Sequence, residues 1–402
     1  MSSFYGLIGV IAFVVALLAT VMLHESGHFA TAKRFGMKAT QFFVGFGPTL
    51  WSTTRGETEY GIKAILLGGY VRIVGYTPLE QIDPGDERRA FYRQPARQRA
   101  IVIAAGVLIN LVVGYLLLVA VNLTTGLPEG QNRTATVAEI SPCVPPSMNK
   151  PCASGAPRAP AAQAGLRRGD QVVSLAGQPI RAWDDLRAAI LAAKPGDEVS
   201  MVVRHGADQP SRTLRLRLAD VDGHAFLGMS PRVLVAHWDR KGPLGAPVTA
   251  VGQFGTYLGQ LGRIAVDLPA AIPKLFSPDR AQTPAGQVGS VYGAGEVSGQ
   301  IFASNQSWRY KAFLFLSLVV SVNIFVGVLN LLPILPMDGG HLAVLCYERI
   351  RAWIARTRGR PDPGTVDMTK LMPVTYIAVV LLVGLGVLLI LADVLNPLKL
   401  PQ

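Results

Sequence analysis

The chain has 402 residues, half of them hydrophobic, only 16% charged residues and a formal net charge of +12. This composition excludes an ordinary soluble protein and indicates several membrane spans with at least one soluble domain. Because the basic residues are spread along the chain and interleaved with acids, the charge favours membrane topology and contact with anionic lipid, and no nucleic-acid partner is expected.

Four apolar runs are long enough to cross a bilayer, which requires about 20 residues. They cover residues 4–23, 101–123, 312–335 and 371–395. An alternative for the first run is a cleaved signal peptide. We expect a retained span, because no basic segment precedes the run and no small-residue cleavage site follows it.

The charges beside these runs predict their orientation. Basic residues crowd the segments after the first run, before the second run and after the third run. Such segments remain cytoplasmic according to the positive-inside rule. The N-terminus, the long middle region 124–311 and the C-terminus are therefore expected outside.

The first run ends in the sequence HESGH, which fits the pattern HExxH. On a helix, His24 and His28 lie on one face, so both imidazoles can reach one metal ion. Glu25 is then placed to take a proton from water at that metal. The alternative is a pair of purely structural histidines, but ionisable groups within a membrane span are functional by default.

A third ligand is expected from the sequence NLLPILPMDGGH. A catalytic zinc site usually has three protein ligands. Asp338 follows Pro333 and Pro336, which cannot both lie inside a regular helix, so the chain is expected to break there. The first and third runs have the same direction, so Asp338 reaches the depth of HESGH near the cytoplasmic face. His341 remains an alternative ligand.

These residues predict one Zn²⁺ per chain, bound by His24, His28 and Asp338. Zinc lowers the pKa of a bound water to about 7, which provides a nucleophile at neutral pH. With Glu25 as general base, the expected reaction is hydrolysis of a peptide bond.

At this point the chain resembles the site-2 proteases, a family of intramembrane zinc metalloproteases, and most of all the bacterial branch that cleaves membrane-anchored anti-sigma factors. The matching residues are Asn330, Pro333 and Asp338 in NLLPILPMDGG, and Gly106 and Asn110 in AGVLIN. The chain departs from the family at Val107, where proline is common. The resemblance covers nearly the whole sequence.

Residues 43–76 are similar to the membrane-associated β-hairpin region of this branch. Alternating aromatic or β-branched and polar residues, punctuated by glycine, also indicate β structure. The resemblance implies that a substrate strand adds to one sheet edge, as in other strand-addition complexes. The expected substrate-binding residues are Gly68, Gly69, Tyr70, Val71, Asn110, Asn330 and Pro333. A packed hairpin without a substrate role is the alternative.

The outer region carries a second resemblance, to a PDZ domain. The sequence APAAQAGLRRGDQVVSLAGQ, residues 159–178, matches the bacterial PDZ pattern, and a strand at 171–175, a helix at 184–192 and two further strands are expected. A filter for pre-cut substrates is implied, and a spacer without a peptide groove is the alternative. Cys143 and Cys152 are expected to form a local disulfide, or else to remain exposed thiols.

The remaining segments give weaker signals. Residues 242–276 are expected to form an amphipathic segment at the membrane interface, and residues 279–308 a loop. Cys346 is expected to be a buried apolar residue. The histidines of the outer region, His205, His224 and His237, are expected on the surface.

The predicted fold class is a polytopic α-helical membrane protein with about four transmembrane helices, a cytoplasmic-side membrane-associated β-hairpin region and one extracytoplasmic PDZ domain of α+β type. The predicted segments are helix 1 with HExxH (1–36), the β-region (37–96), helix 2 (97–125), the PDZ domain (126–232), an amphipathic and loop region (233–311), helix 3 with the Asp motif (312–341), a cytoplasmic connection (342–370) and helix 4 with the C-terminus (371–402).

The predicted function is that of an intramembrane zinc endopeptidase in the bacterial cytoplasmic membrane. Its expected partners are the lipid bilayer and a single-span substrate, such as an anti-sigma factor after a first extracytoplasmic cut. The alternatives are the same protease acting on remnant signal peptides, a non-catalytic PDZ membrane adaptor and a zinc carrier. The intact set of His24, Glu25, His28 and Asp338 argues against an adaptor, and Glu25 argues against a carrier.

Overall fold

The computed structural model describes residues 2–76, 82–147, 152, 155–206, 209–276, 289–304 and 306–397. It divides into two compact units. The helical unit comprises Met1–Gly126 and Arg240–Leu400, and the sheet unit comprises Leu127–Asp239.

The described helices, numbered along the chain, are α1 (Ser2–Arg34), α2 (Ala96–Leu123), α3 (Pro160–Gln163), α4 (Trp183–Ala192), α5 (Gly245–Ala271), α6 (Val291–Ala303), α7 (Trp308–Asn330), α8 (Asp338–Thr357) and α9 (Met372–Leu395). The described strands are β1 (Ala39–Arg55), β2 (Thr58–Ile73), β3 (Leu127–Ile140), β4 (Asp170–Leu175), β5 (Gln178–Pro179), β6 (Glu198–His205), β7 (Arg212–Arg217), β8 (Ala219–Val221), β9 (His224–Phe226) and β10 (Met229–Asp239).

Four helical segments of the described chain are long and apolar enough to cross a membrane. They are Phe4–Arg34, Ala96–Leu123, Trp308–Asn330 and Met368–Leu395. This confirms the four runs predicted from the sequence. The helix α5 is not among these segments, in keeping with the expectation that residues 242–276 do not form a further span.

Small residues bring the spanning helices close together. A Cβ atom on Gly27 would lie 2.7 Å from the carbonyl oxygen of Ala105, so α1 and α2 touch through their backbones at this level. Such contacts are typical of helix pairs in membranes, where close packing replaces the hydrophobic effect as the driving force. The glycine of HESGH therefore has a packing role between the two histidines.

The helix α6 corrects the expectation of a loop over 279–308 for residues 291–303, while residues 279–288 and 305 lie outside the described part of the chain. Ser290 caps the helix by accepting a hydrogen bond from the Gly293 N–H, and it donates to the buried Asp393 from both its N–H and its hydroxyl. Further along α6, the Ser298 hydroxyl donates to the Gly9 carbonyl of α1 at 2.7 Å. Glycine and serine disfavour helices in water. In α6 the glycine and serine residues form the close contact with α1. The composition that indicated a loop is thus explained by helix packing.

The chain breaks between α7 and α8 where the prolines predict it. The helix α7 ends at Asn330, and α8 begins at Asp338. A Cβ atom on Gly340 would lie 2.5 Å from the backbone nitrogen of Leu335, and one on Gly339 would overlap the Leu331 carbonyl. The turn therefore leaves room for glycine alone, and it places Asp338 in the first turn of α8.

The exposure of Cys346 corrects a second expectation. This residue was predicted to be buried, but its side chain is exposed on α8. The buried side of α8 carries Leu345, Glu348 and Ala352 instead. Glu348 accepts a hydrogen bond from Arg99 of α2 at 2.7 Å, so this ion pair and the apolar contacts of Leu345 hold that side of α8 against the bundle.

The hairpin β1–β2 folds back on itself into four strand segments. Gln41 of β1 pairs with both Arg72 and Glu59 of β2, and Val44 pairs with both Gly69 and Ile62. The first half of β1 therefore lies between the two halves of β2. The second half of β2 forms one outer edge of this small sheet.

An ion cluster fastens the hairpin to the end of α1. Glu57, in the turn between the strands, accepts hydrogen bonds from Arg89 at 2.6 and 2.8 Å and from Lys33 at 2.7 Å. These partners, Arg89 first and then Lys33, lower the pKa of Glu57 to about 2. These ion pairs thus hold the turn of the hairpin against the end of α1.

The sheet unit consists of a sheet in the order β10-β3-β4-β6-β7, with β5 paired to β4. Its core includes Val172, Leu175, Leu186 of α4, Met201 and Val203. The expected strand at 171–175 and helix at 184–192 correspond to β4 and α4. A disulfide joins Cys143 to Cys152, with their Cα atoms 6.0 Å apart.

The sheet unit also contains a buried carboxylate that the sequence did not single out. Asp170 is fully buried, which opposes its ionisation, but it accepts hydrogen bonds from the Arg167 N–H, His205 and Arg212. Together these donors hold the pKa of Asp170 below its usual range. His205, His224 and His237 are all exposed.

Candidate metal centre

Three side chains from two helices converge in the helical unit. His24 and His28 lie one turn apart on α1 and are nearly fully buried, and Asp338 opens α8. Among the described residues, His24, His28 and Asp338 form the cluster of ligand-type side chains with the spacing of a metal site. His341 is outside this cluster and packs against Tyr76 with the two rings tilted and their centroids 5.0 Å apart.

The distances among the three ligand atoms fit zinc. Nε2 of His24 lies 3.0 Å from Oδ2 of Asp338, Nε2 of His28 lies 3.2 Å from the same oxygen, and the two Nε2 atoms are 3.1 Å apart. Tetrahedral ligands about 2.05 Å from zinc would be about 3.3 Å from one another. A zinc ion therefore fits between these atoms with little adjustment.

The hydrogen bonds behind the histidines turn both Nε2 atoms towards the centre. Nδ1 of His28 is 2.7 Å from the carbonyl oxygen of Val102 and must donate to it, so Nε2 of that ring carries a lone pair. Nδ1 of His24 lies 3.3 Å from the side-chain amide of Asn110. Oxygen and nitrogen of an amide are assigned from hydrogen bonding, and the buried Oδ1 of Asn110 has no partner. Turning the amide over lets Oδ1 accept from the His24 Nδ1–H, which leaves Nε2 of His24 with a lone pair.

The three converging atoms are then all acceptors. Oδ2 of Asp338 is buried and has no hydrogen bond. Lone pairs about 3 Å apart in a buried place repel one another unless a cation lies between them. The donor set, two imidazoles and one carboxylate, is one that catalytic zinc sites use.

The backbone of α2 packs directly against the two imidazoles at Gly106, which has no side chain. A Cβ atom there would overlap Nε2 of His28 and lie 2.7 Å from Cε1 of the same ring and 2.8 Å from Cε1 of His24. Glycine is therefore required by the packing of α2 against the two imidazoles. The expected match to the family pattern at Gly106 thus has a steric reason.

Glu25 faces the outer edge of the hairpin sheet. Its Oε2 accepts a hydrogen bond of 3.1 Å from the backbone N–H of Val71. Glu25 follows His24 directly on α1, so the carboxylate lies beside the converging ligands and in contact with β2. This arrangement brings Glu25, the predicted general base, into contact with the predicted substrate-binding strand.

The other predicted substrate-binding residues have different surroundings. Gly69 packs against Met22 of α1. The Tyr70 ring stacks on Phe43 with centroids 5.8 Å apart. Gly68 has a φ of 151°, a backbone conformation that favours glycine. The Tyr70 side chain and the glycine positions of this segment are thus engaged in packing within the hairpin and against α1.

Three predicted residues lie away from that edge. The side-chain amide of Asn110 contacts Nδ1 of His24. Asn330 is the last residue of α7, and Pro333 is exposed in the following break. In the described part of the chain, no hydrogen bond joins Asn330 or Pro333 to the converging side chains. The Val102 carbonyl escaped prediction, because a backbone acceptor has no sequence signal.

The helices and the converging side chains define a membrane metalloprotein with an HExxH helix. A sequence profile of peptidase family M50 matches residues 12–361. Zinc metalloprotease Rip1 of Mycobacterium tuberculosis is 34% identical over 426 residues, covering 98% of this chain and 99% of its own. A putative zinc metalloprotease of Nostoc sp. is 29% identical over 390 residues, covering 96% and 95%. The PDZ domain of an SdrC-like protein from Listeria monocytogenes covers 25% of this chain and 86% of its own, with 18% identity and a TM-score of 0.17.

The chain belongs to peptidase family M50, the site-2 protease family of zinc metalloproteases. This confirms the predicted family, the enzyme class and the zinc cofactor. The four apolar helices agree with a membrane protein of this family.

Proposed function

We propose that this zinc metalloprotease cleaves a peptide bond within the transmembrane segment of single-span membrane proteins. His24, His28 and Asp338 hold the zinc ion, and Glu25 is the general base. The observation that carries the proposal is the convergence of the three ligand atoms within 3.2 Å of one another. Two of them come from the apolar helix α1, and the third comes from the start of α8.

The residues divide the chemistry among them. A bound zinc ion activates water as a nucleophile and polarises a carbonyl group. Glu25 takes the proton from the attacking water and delivers it to the leaving nitrogen, as a positioned carboxylate can do in both directions. The carbonyl of Val102 and the amide of Asn110 keep both imidazoles in the orientation that binds metal.

The outer edge of β2 presents the substrate to this machinery. A transmembrane helix hides its backbone in its own hydrogen bonds, so it must become extended before cleavage. The Val71 N–H donates to Glu25 and is directed away from β1. It therefore lies on the side of β2 that has no neighbouring strand. Residues two apart in a strand direct their backbone groups the same way, so Gly69 shares this side. A substrate strand added here would lie beside Glu25.

The topology is part of the proposal. With the basic segments cytoplasmic, the centre lies near the cytoplasmic face, and both termini and the sheet unit lie outside. The sheet unit then acts as a PDZ filter that admits substrates shortened by a first cut. A pre-cut anti-sigma factor fits these requirements, and remnant signal peptides are the other substrate class.

Removal of metal is expected to abolish cleavage. The purified chain in lipid nanodiscs is incubated with a tagged single-span substrate before and after chelation, and the cut is followed on gels. Activity should disappear with the zinc, return with added Zn²⁺ and be absent in His24→Ala. The matched variant His224→Ala, at an exposed histidine, should retain activity and zinc. Full cleavage by verified metal-free protein would contradict the proposal.

The edge is tested through the substrate backbone. Peptide substrates carrying single N-methyl groups remove one donor at a time from the added strand. Because strand hydrogen bonds alternate, we expect N-methylation at every second residue to reduce cleavage about tenfold, the loss of about 1.4 kcal/mol of hydrogen bonding. Methylation at the intervening residues should have little effect. A uniform response along the peptide would contradict strand addition.

A further inference from the structure

The helix α8 has an apolar side that no part of the described chain covers. Tyr347, Ile350 and Trp353 are exposed by 56, 57 and 62%, and Cys346 is exposed beside them. At 100° per residue these positions share one side of the helix, opposite the buried Leu345, Glu348 and Ala352. Large aromatic and aliphatic groups rarely form such a stripe against water.

Arginines border this stripe on both sides. Arg349 and Arg356 are exposed along one border, and Arg351 lies over the Tyr347 ring at 5.8 Å on the other. Arg358 and Arg360 follow just beyond the helix and are also exposed. None of the ion pairs among the described residues involves Arg349, Arg356, Arg358 or Arg360. These charges are available to an external anion.

The chain itself places α8 at a membrane boundary. It follows the spanning helix α7 after seven residues, and Glu348 is paired with Arg99 in the first turn of the spanning helix α2. The depth of α8 is therefore set by the end of α7 and the start of α2. Its arginines and Glu348 prevent α8 from being a span, and it is not among the spanning segments. An apolar stripe with basic borders and aromatic residues is typical of a helix lying in the lipid headgroup region.

We propose that α8 binds an anionic lipid surface. Tyr347, Ile350 and Trp353 enter the boundary between headgroups and acyl chains, while Arg349 and Arg356 bind lipid phosphates. Arginine matches phosphate geometry through paired hydrogen bonds. A second copy of the chain could cover the stripe, but it would present the same arginines, whereas an anionic surface complements them. This inference does not depend on the proposed substrate or on catalysis.

The chain contains its own reporter for this surface. Two of its three cysteines form the disulfide, which leaves Cys346, on the proposed lipid side of α8, as the reactive thiol. The full chain is labelled there with an NBD maleimide and reconstituted in nanodiscs of phosphatidylcholine alone or mixed with phosphatidylglycerol. The rate at which dithionite, a membrane-impermeant reductant, bleaches the label measures its exposure.

Anionic lipid should protect the label. Each arginine near an anionic surface favours the bound state about fivefold, so Arg349→Gln with Arg356→Gln should remove most of the difference between the two lipids. Arg187→Gln, at an exposed arginine of α4, serves as the control and should behave like the unaltered chain. Labelling of the native thiol by an impermeant maleimide, measured without the NBD group, should show the same order of rates.

Two results would overturn the proposal. Equal bleaching and labelling rates in neutral and anionic nanodiscs would show that α8 does not recognise lipid charge. Protection that follows the number of chains per nanodisc, independent of lipid, would assign the stripe to a second copy.

Discussion

Glu25→Gln is expected to abolish cleavage of a single-span substrate and to leave zinc bound. Glutamine has the shape of glutamate and retains an oxygen that can accept the Val71 N–H, so the fold around the site should persist. It cannot take a proton from water, and a general base contributes about 10² to 10⁴ in rate. The fall in kcat should reach that range with zinc stoichiometry unchanged, as measured by substrate gels and metal analysis on the same preparation.

The matched control is Glu198→Gln, at an exposed glutamate of the sheet unit. It changes the net charge by the same amount and should leave cleavage unaltered. If Glu25→Gln cleaved the substrate as fast as the unaltered chain, the assignment of the base would be wrong. Loss of both zinc and activity would instead give Glu25 a structural role.

Gly106→Ala is expected to weaken zinc binding strongly although it adds only a single uncharged methyl group. The new Cβ would overlap Nε2 of His28 and touch Cε1 of His24, so the imidazoles or α2 must move. Disturbing the partners that orient metal ligands weakens metal binding about 10- to 100-fold. A zinc competition titration against a chromogenic chelator measures this loss directly, independent of any substrate.

Gly386→Ala provides the comparison. This glycine of α9 has open space where the methyl group would stand, so alanine should be tolerated there, and zinc affinity should not change. Unchanged affinity in Gly106→Ala would mean that α1 and α2 separate without disturbing the centre. The close approach at Gly27 and Ala105 would then be less rigid than the structure indicates.

The metal centre was the part most accessible from sequence. HExxH contains two candidate ligands four residues apart, a spacing that puts both on one face of a helix. The prolines before Asp338 predict the helix break after which this residue begins α8. The parallel direction of the first and third runs then brings the two motifs to one depth. These are local or topological signals, which need no knowledge of side-chain packing.

Other features depend on contacts that local composition does not encode. The helix α6 is rich in glycine and serine because it touches α1, and that partner is almost 300 residues away. Cys346 is exposed because Leu345 and Glu348, which pairs with Arg99, hold the opposite side of α8 against the bundle. The contact of Asn110 in α2 with His24 in α1 joins residues 86 positions apart, and the sequence around Asn110 gives no sign of it. In each case a long-range partner outweighs the local pattern.

The uninterrupted helix α1 serves as a measure of depth. From Phe4 to His24 it advances 20 residues, which at 1.5 Å per residue is about 30 Å, the thickness of the hydrocarbon layer. If Phe4 marks one boundary of that layer, the histidines lie at the other. The peptide bond that is cleaved at these histidines should therefore lie near one end of a substrate's apolar segment. One product would then keep most of that segment and the other only a few of its residues.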